Sequence, residues 1–172
     1  EYVDYYKCHS IFDDLIYKDE LDYSREAIRA KIKSLTNSES NLIFSYEALV
    51  GAPFKYKGLG RSQIPQRLYD LGFEKVIITV RRQSVVLDSL YRQYIIQGGV
   101  VSFKRFLDKE FEEAIYLREF NLEYLKYDKL IKLYQDVFGK DRVLVLAQEE
   151  MKVDRDGFNR KLERFLGRTI TQ

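Results

Sequence analysis

The sequence predicts an α/β fold, a parallel sheet with helices on both faces, and three observations carry that reading. Val76, Ile77, Ile78 and Val80 form a short β-branched run, the pattern of a strand buried on both faces of a parallel sheet. Arg142-Val-Leu-Val-Leu-Ala147 is a further apolar run of strand length. Amphipathic helical stretches separate the runs, and strands alternating with helices imply parallel crossover connections.

The elements follow in order. Ser24 is placed to cap a helix in which Ile28, Ile32 and Leu35 form one apolar stripe, ending near Thr36-Asn37-Ser38. Asn41-Leu-Ile-Phe-Ser-Tyr-Glu47 reads as a short strand. A loop runs from Gly51 to Gly60, with Pro53 and the basic residues Lys55 and Lys57. A helix from about Ser62 to Leu71 leads into the strand at Val76. Ser84 sits where the next N-cap belongs, and Leu87, Leu90, Tyr91, Tyr94 and Ile95 then repeat at helical spacing. Gly98-Gly99 ends that helix, and Ser102-Phe-Lys-Arg-Phe-Leu reads as a short one. The longest helical pattern spans Leu122 to Phe138, with Tyr127, Leu130, Ile131, Tyr134, Val137 and Phe138 on one face and Gly139 as its stop. After the Arg142–Ala147 strand, Asp154 to Leu166 forms a final amphipathic helix through Phe158, Leu162 and Phe165. There is no repeat, low-complexity tract or linker, so residues 1–172 read as a single domain.

Composition narrows the function classes. At 172 residues the chain is long enough for a real core, and 45% hydrophobic with 33% charged residues describes a soluble globular protein. A net charge of +2 leaves no electrostatic footprint for nucleic acid. No stretch approaches the roughly 20 apolar residues of a membrane span. Glu1-Tyr-Val-Asp-Tyr-Tyr is acidic and aromatic, unlike a signal peptide. The one cysteine, Cys8, excludes an internal disulfide and suits a reducing, cytoplasmic compartment. With one cysteine and one histidine, cysteine metal cages are excluded and a zinc site would need mostly carboxylate ligands.

The double arginine after the first apolar run holds most of the chemical information. Arg81 lies at the carboxyl edge of a strand, where open α/β sheets bind ligands. Ser89 follows eight positions later, so the helix can bring its hydroxyl back toward the guanidinium. A bidentate fork plus one hydroxyl donor makes a small phosphate clamp. The plain alternative is a surface arginine paired with Asp88, beside an ordinary helix serine. Arg82 points to the other strand face and suits a structural salt bridge.

These residues resemble a known family. Val76-Ile-Ile-Thr-Val-Arg-Arg-Gln, followed by Ser89-Leu-Tyr91, resembles the 3′-phosphate-binding strand and helix of sulfotransferases that use 3′-phosphoadenosine 5′-phosphosulfate (PAPS). A second block is similar too: Tyr127-Asp-Lys-Leu-Ile-Lys-Leu-Tyr-Gln-Asp-Val-Phe-Gly-Lys-Asp-Arg-Val-Leu-Val-Leu, then Glu149-Glu150 and Phe165-Leu-Gly167. Arg81-Arg82-Gln83 and Gln97-Gly-Gly99 resemble bacterial and carbohydrate-directed members more than small-phenol enzymes. The likeness covers residues 41 to 167 or so. It implies a three-layer P-loop-type fold with a central parallel β-sheet flanked by helices. It also implies PAPS as donor with no metal needed, Arg81 and Ser89 as the 3′-phosphate ligands, and a glycan or other small hydroxylated acceptor. Glu47 falls near where some carbohydrate-directed members place a glutamate general base, and Ser45 is the competing alignment.

The chain departs from that pattern at its start. Family members open with a strand and a loop of the Pro-Lys-x-Gly-Thr-Thr type that cradles the 5′-phosphosulfate. Lys7, in Tyr6-Lys-Cys-His9, has no glycine or threonine neighbours. The expectation is an N-terminally truncated sulfotransferase-like domain, and the alternative is an inactive sulfotransferase-fold module that binds a nucleotide or glycan. An ATP- or GTP-using enzyme of the same broad class leaves the Arg81/Ser89 pair without a purpose. His9, the only histidine, is a second type of base but lies outside the matched region. Lys55, Lys57, Gly58, Gly60 and Arg61 fit neither a Walker loop nor a dinucleotide fingerprint and read as a basic turn. Glu149-Glu150 reads as a strand-to-helix turn.

Overall fold

In the computed structural model, residues 5–35, 42–51, 53–54, 61–107, 120 and 122–169 are described. They fall into two compact units, Glu1–Phe73 with Glu112–Tyr124, and Glu74–Phe111 with Leu125–Gln172.

The first unit is organised by a helix that the sequence reading passes over. In α1 (Tyr5–Tyr17), Cys8, Ile11, Phe12, Leu15 and Ile16 are all buried, one stripe at helical spacing. Helix α2 (Arg25–Leu35) starts as expected, with Ser24 Oγ accepting the Ala27 N–H at 3.2 Å and Ile28 buried. Both α2 and α3 (Ile64–Asp70) pack on α1. From α3, Arg67 goes into the interior, 3% exposed. Its Nη1 donates to the carbonyls of Leu15 and Lys18 at 2.9 and 2.7 Å, and Nη2 to Glu20 Oε1 at 2.9 Å. Its guanidinium also lies 4.1 Å from the centre of the Tyr23 ring. One arginine thereby satisfies carbonyls that the end of α1 leaves without intrahelical donors.

The strand expected over Asn41–Glu47 does not form in the described part of that segment. Ile43 makes a single isolated bridge, and a 3₁₀ turn begins at Glu47 (Glu47–Val50). Side chains alternate as in a strand, with Leu42, Phe44 and Tyr46 turned inward. Phe44 meets Phe12 and Phe73 edge-on at 5.5 and 5.1 Å, and Tyr46 lies 4.8 Å from Phe12. Aromatic packing, not a ladder, holds this extended stretch.

The second unit contains β1 (Val76–Val80) and β2 (Val143–Ala147), parallel and in register from Val76↔Val143 to Val80↔Ala147. Helix α4 (Gln83–Ile96) leaves β1 through Arg82, which occupies the N-cap without a side-chain cap, so Ser84 lies inside the helix and not at the cap. Its end follows expectation: Gly98 has φ +95°, and the Gly99 N–H returns to the Tyr94 carbonyl at 2.9 Å. Short helix α5 (Phe103–Phe106) is capped by Ser102, and Phe103 and Phe106 join Tyr91 in an aromatic cluster. The long helical pattern divides into a 3₁₀ turn (Leu122–Leu125) and α6 (Tyr127–Phe138), stopped by Gly139. Helix α6 packs on both strands and buries Leu130, Tyr134 and Phe138. Two helices close the chain, α7 (Gln148–Val153) and α8 (Arg155–Leu166), the second capped by Asp154, which accepts the Gly157 N–H at 2.8 Å.

The expected three-layer P-loop-type fold, a central parallel β-sheet flanked by helices, is therefore corrected. The described residues are predominantly helical, and their sheet has two strands. Strand β1 is not buried on both faces: Ile78 is buried, whereas Ile77 and Thr79 are exposed. A β-branched run reports a preference for the pleated backbone, while burial of both faces needs neighbouring layers that the run itself does not encode.

Candidate functional site

Parallel pairing brings the ends of β1 and β2 side by side, with Val80 opposite Ala147. Residues just after the two strands therefore meet at one edge. Arg81 and Arg82 leave β1 there, and Gln148 and Glu149 leave β2. Glu149 Oε1 accepts the backbone N–H of Arg82 at 2.9 Å. The start of α6 belongs to the same edge, because Gln83 Nε2 donates to the Leu125 carbonyl at 2.8 Å, two residues before Tyr127. Neither α4 nor α6 carries a side-chain cap, so the positive ends of two helices accompany the arginines.

Electrostatics tie the same residues together. The Arg82 N–H, with Glu149's own backbone N–H and the positive charges of Arg82 and Arg81, holds the Glu149 carboxyl below the ordinary glutamate value. Burial pushes the Tyr127 phenol up; Arg81 opposes that rise and Glu149 adds to it. The charge of Arg81 thus acts on both a carboxylate and a half-buried phenol.

Arg81 is exposed and makes no ion pair among the described residues. Asp88, the partner of the plain alternative, instead pairs with Arg92 at 3.0 Å. Ser89 is the seventh residue of α4 and exposed, and its hydroxyl has no hydrogen bond among the described residues. At about 1.5 Å of rise per residue it lies about 9 Å along the axis from the start of α4. For Arg82 the group engaged by a carboxylate is the backbone N–H, whereas a side-chain salt bridge was the expectation.

Glu47 belongs to the first unit, exposed at the start of the Glu47–Val50 turn, with Ser45 exposed two residues earlier. That turn ends at Gly51, whose carbonyl accepts the Tyr124 hydroxyl at 3.0 Å. Arg61 donates to the Tyr124 and Glu123 carbonyls at 3.0 and 3.1 Å, a structural use. Lys55, Lys57, Gly58 and Gly60 lie outside the described residues. His9 is exposed and pairs with Asp13 at 2.9 Å on its own helix.

Sequence reasoning places Arg81 correctly at a strand's carboxyl edge but misses Glu149, Tyr127 and Gln83 as its surroundings. The available signal was positional: Glu149 follows the Val143–Ala147 strand as Arg82 follows Val76–Val80, and parallel neighbours juxtapose such residues. Among the described residues no group of three or more His, Cys, Asp or Glu side chains is placed to hold a metal ion. Nor is any helix among them long and apolar enough to cross a membrane.

No family model matches the chain, and no curated protein matches it. A solved structure does: the chain shares its fold with the crystal structure of a sulfotransferase from Alicyclobacillus acidocaldarius, at a TM-score of 0.60 and 24% sequence identity. The likeness covers 88% of this chain, which spans 57% of the length of that protein.

Proposed function

We propose that the chain is part of a PAPS-dependent sulfotransferase that passes a sulfuryl group to a hydroxyl or amine of a carbohydrate-like acceptor. The observation that carries this reading is the Arg81 guanidinium, unpaired among the described residues, at the carboxyl edge of the strand pair in a fold shared with a sulfotransferase. A guanidinium fork and a hydroxyl donor suit a phosphate dianion. Arg81 would grip the 3′-phosphate of the donor with two parallel N–H bonds, and Ser89 would give a third donor. Both act far from sulfur, so their binding energy serves to place the reacting end.

Sulfuryl transfer resembles phosphoryl transfer in depending on positioning and electrostatics. An acceptor oxygen attacks sulfur, the bond from sulfur to the 5′-phosphate oxygen breaks, and the electron pair leaves with that phosphate. Glu47 is the proposed acceptor of the hydroxyl proton, a contribution of about 10²–10⁴-fold for a well-placed general base.

Calorimetric titration with 3′-phosphoadenosine 5′-phosphate, beside 5′-AMP and ATP, tests the reading. Binding that requires the 3′-phosphate is the expected result; equal or absent binding of all three overturns it. The second reading is a non-catalytic module that binds a nucleotide or glycan. Nucleotide binding without sulfuryl transfer to any hydroxylated acceptor would select it.

A further inference from the structure

We propose that Glu149 is a positioning residue: by holding the Arg82 N–H it fixes the turn that aims Arg81 at its phosphate. This inference rests on the functional reading above and adds to it a residue two positions past the end of the neighbouring strand. The turn between β1 and α4 has two residues, Arg81 and Arg82, and no side-chain cap at the helix start. A 2.9 Å bond from the Arg82 N–H to Glu149 Oε1 ties the turn to the start of the helix that follows β2. Arg82 has φ −53° and ψ 126°, an extended conformation between strand and helix. The peptide N–H engaged by Glu149 is the one joining Arg81 to Arg82, so this carboxylate fixes the peptide plane from which the Arg81 side chain departs. Glu149 itself stands in the first turn of α7, set by the end of β2.

A carboxylate beside a phosphate site invites the objection that it repels the ligand. The charge and the anchor have opposite effects, and they are separable. Glutamine keeps an amide oxygen that can accept the Arg82 N–H and removes the charge, whereas alanine removes both. If the charge mattered most, both variants would bind an anion more tightly. If the anchor matters most, only alanine weakens binding, because the Arg81 side chain then searches more conformations before it can form a bidentate contact.

The experiment compares wild type, Glu149→Gln and Glu149→Ala by calorimetry with 3′-phosphoadenosine 5′-phosphate and by amide NMR without nucleotide. Glu149→Gln is expected to stay within about threefold of wild-type affinity and Glu149→Ala to weaken it about tenfold, the scale of one charge-assisted hydrogen bond. In wild type the Arg82 amide resonance should titrate with a midpoint below the ordinary glutamate range, and in neither variant should it titrate there. The sign follows from a depressed carboxylate value: the anchor is intact at neutral pH and lost as pH falls through the folded-state value. Equal affinity of Glu149→Ala and wild type overturns the positioning role while leaving the functional reading standing. Wild-type protein that binds no nucleotide overturns the functional reading and the positioning role with it, and the Arg82 titration then decides the anchor alone.

Discussion

Arg81 and Arg67 show how differently one residue type is used in this chain. Arg81 is exposed and makes no ion pair among the described residues, whereas Arg67 is 3% exposed and spends its donors on the Leu15 and Lys18 carbonyls and on Glu20. Replacing Arg81 by Ala should therefore leave thermal stability unchanged and weaken binding of 3′-phosphoadenosine 5′-phosphate at least about tenfold in calorimetry. Arg81→Lys should recover only part of that loss, because a point charge does not reproduce a planar fork. Unchanged affinity in Arg81→Ala would remove the site assignment. Arg67→Ala makes the opposite prediction, a loss of about 2–4 kcal/mol of unfolding free energy from two orphaned carbonyls and the space left behind. Denaturant titration checks it, and a loss below about 1 kcal/mol would mean that water replaces the guanidinium without penalty. The sequence distinguished Arg81 through its place after an apolar run. It said nothing of Arg67, because burial of a charged residue depends on carbonyls some 50 positions away.

At the scale of elements, legibility followed the range of the deciding interaction. Helices α2, α4, α6 and α8 announce themselves through apolar spacing, α4 and α6 also through glycine stops, and Ser24 caps α2 within three residues of its own position. Ser84 looked equally good as a cap, yet the chain enters α4 two residues earlier, where the Glu149 carboxylate already holds the Arg82 N–H. The Asn41–Glu47 segment shows the limit from the other side. It read as a strand, and Leu42, Phe44 and Tyr46 do turn inward, but a ladder needs a partner strand that no local pattern supplies. Gly99 illustrates a glycine whose role is close approach: a Cβ there would lie 2.1 Å from the Tyr94 ring. The same ring's hydroxyl accepts the Val100 and Val101 N–H groups at 3.0 and 3.2 Å, so displacing it undoes two bonds. Gly99→Ala should cost about 1–3 kcal/mol, in the range of overpacking, and a melting curve unchanged from wild type would show that the Tyr94 ring yields freely.

At the scale of the molecule, the two parallel strands were legible, whereas the central sheet flanked by helices that they implied is not found among the described residues, which are predominantly helical. Two strands with α6 across them leave Ile77 and Thr79 exposed, where the β-branched run had implied a covered face. With so small a sheet, tertiary ties between helices carry a larger share of the stability, and their ionic part depends on pH. Asp14 of α1 shows this. Burial alone would raise its carboxyl, but hydrogen bonds from Lys31 of α2 and Lys18, with their charges, hold it below the ordinary aspartate value. A depressed folded-state value stabilises the protein above the unfolded aspartate value, and that contribution disappears as pH falls through the folded one. Asp14→Asn should therefore cost about 1 kcal/mol at pH 7, a modest figure because both lysines are well exposed to screening solvent. Urea unfolding of both proteins at pH 7 and again near pH 2–3 should show that gap closing as wild type loses the tie and the variant has none to lose. A gap of equal size at both pH values would mean that Asp14 acts through packing or neutral hydrogen bonds, and that the ionic link between α1 and α2 contributes nothing.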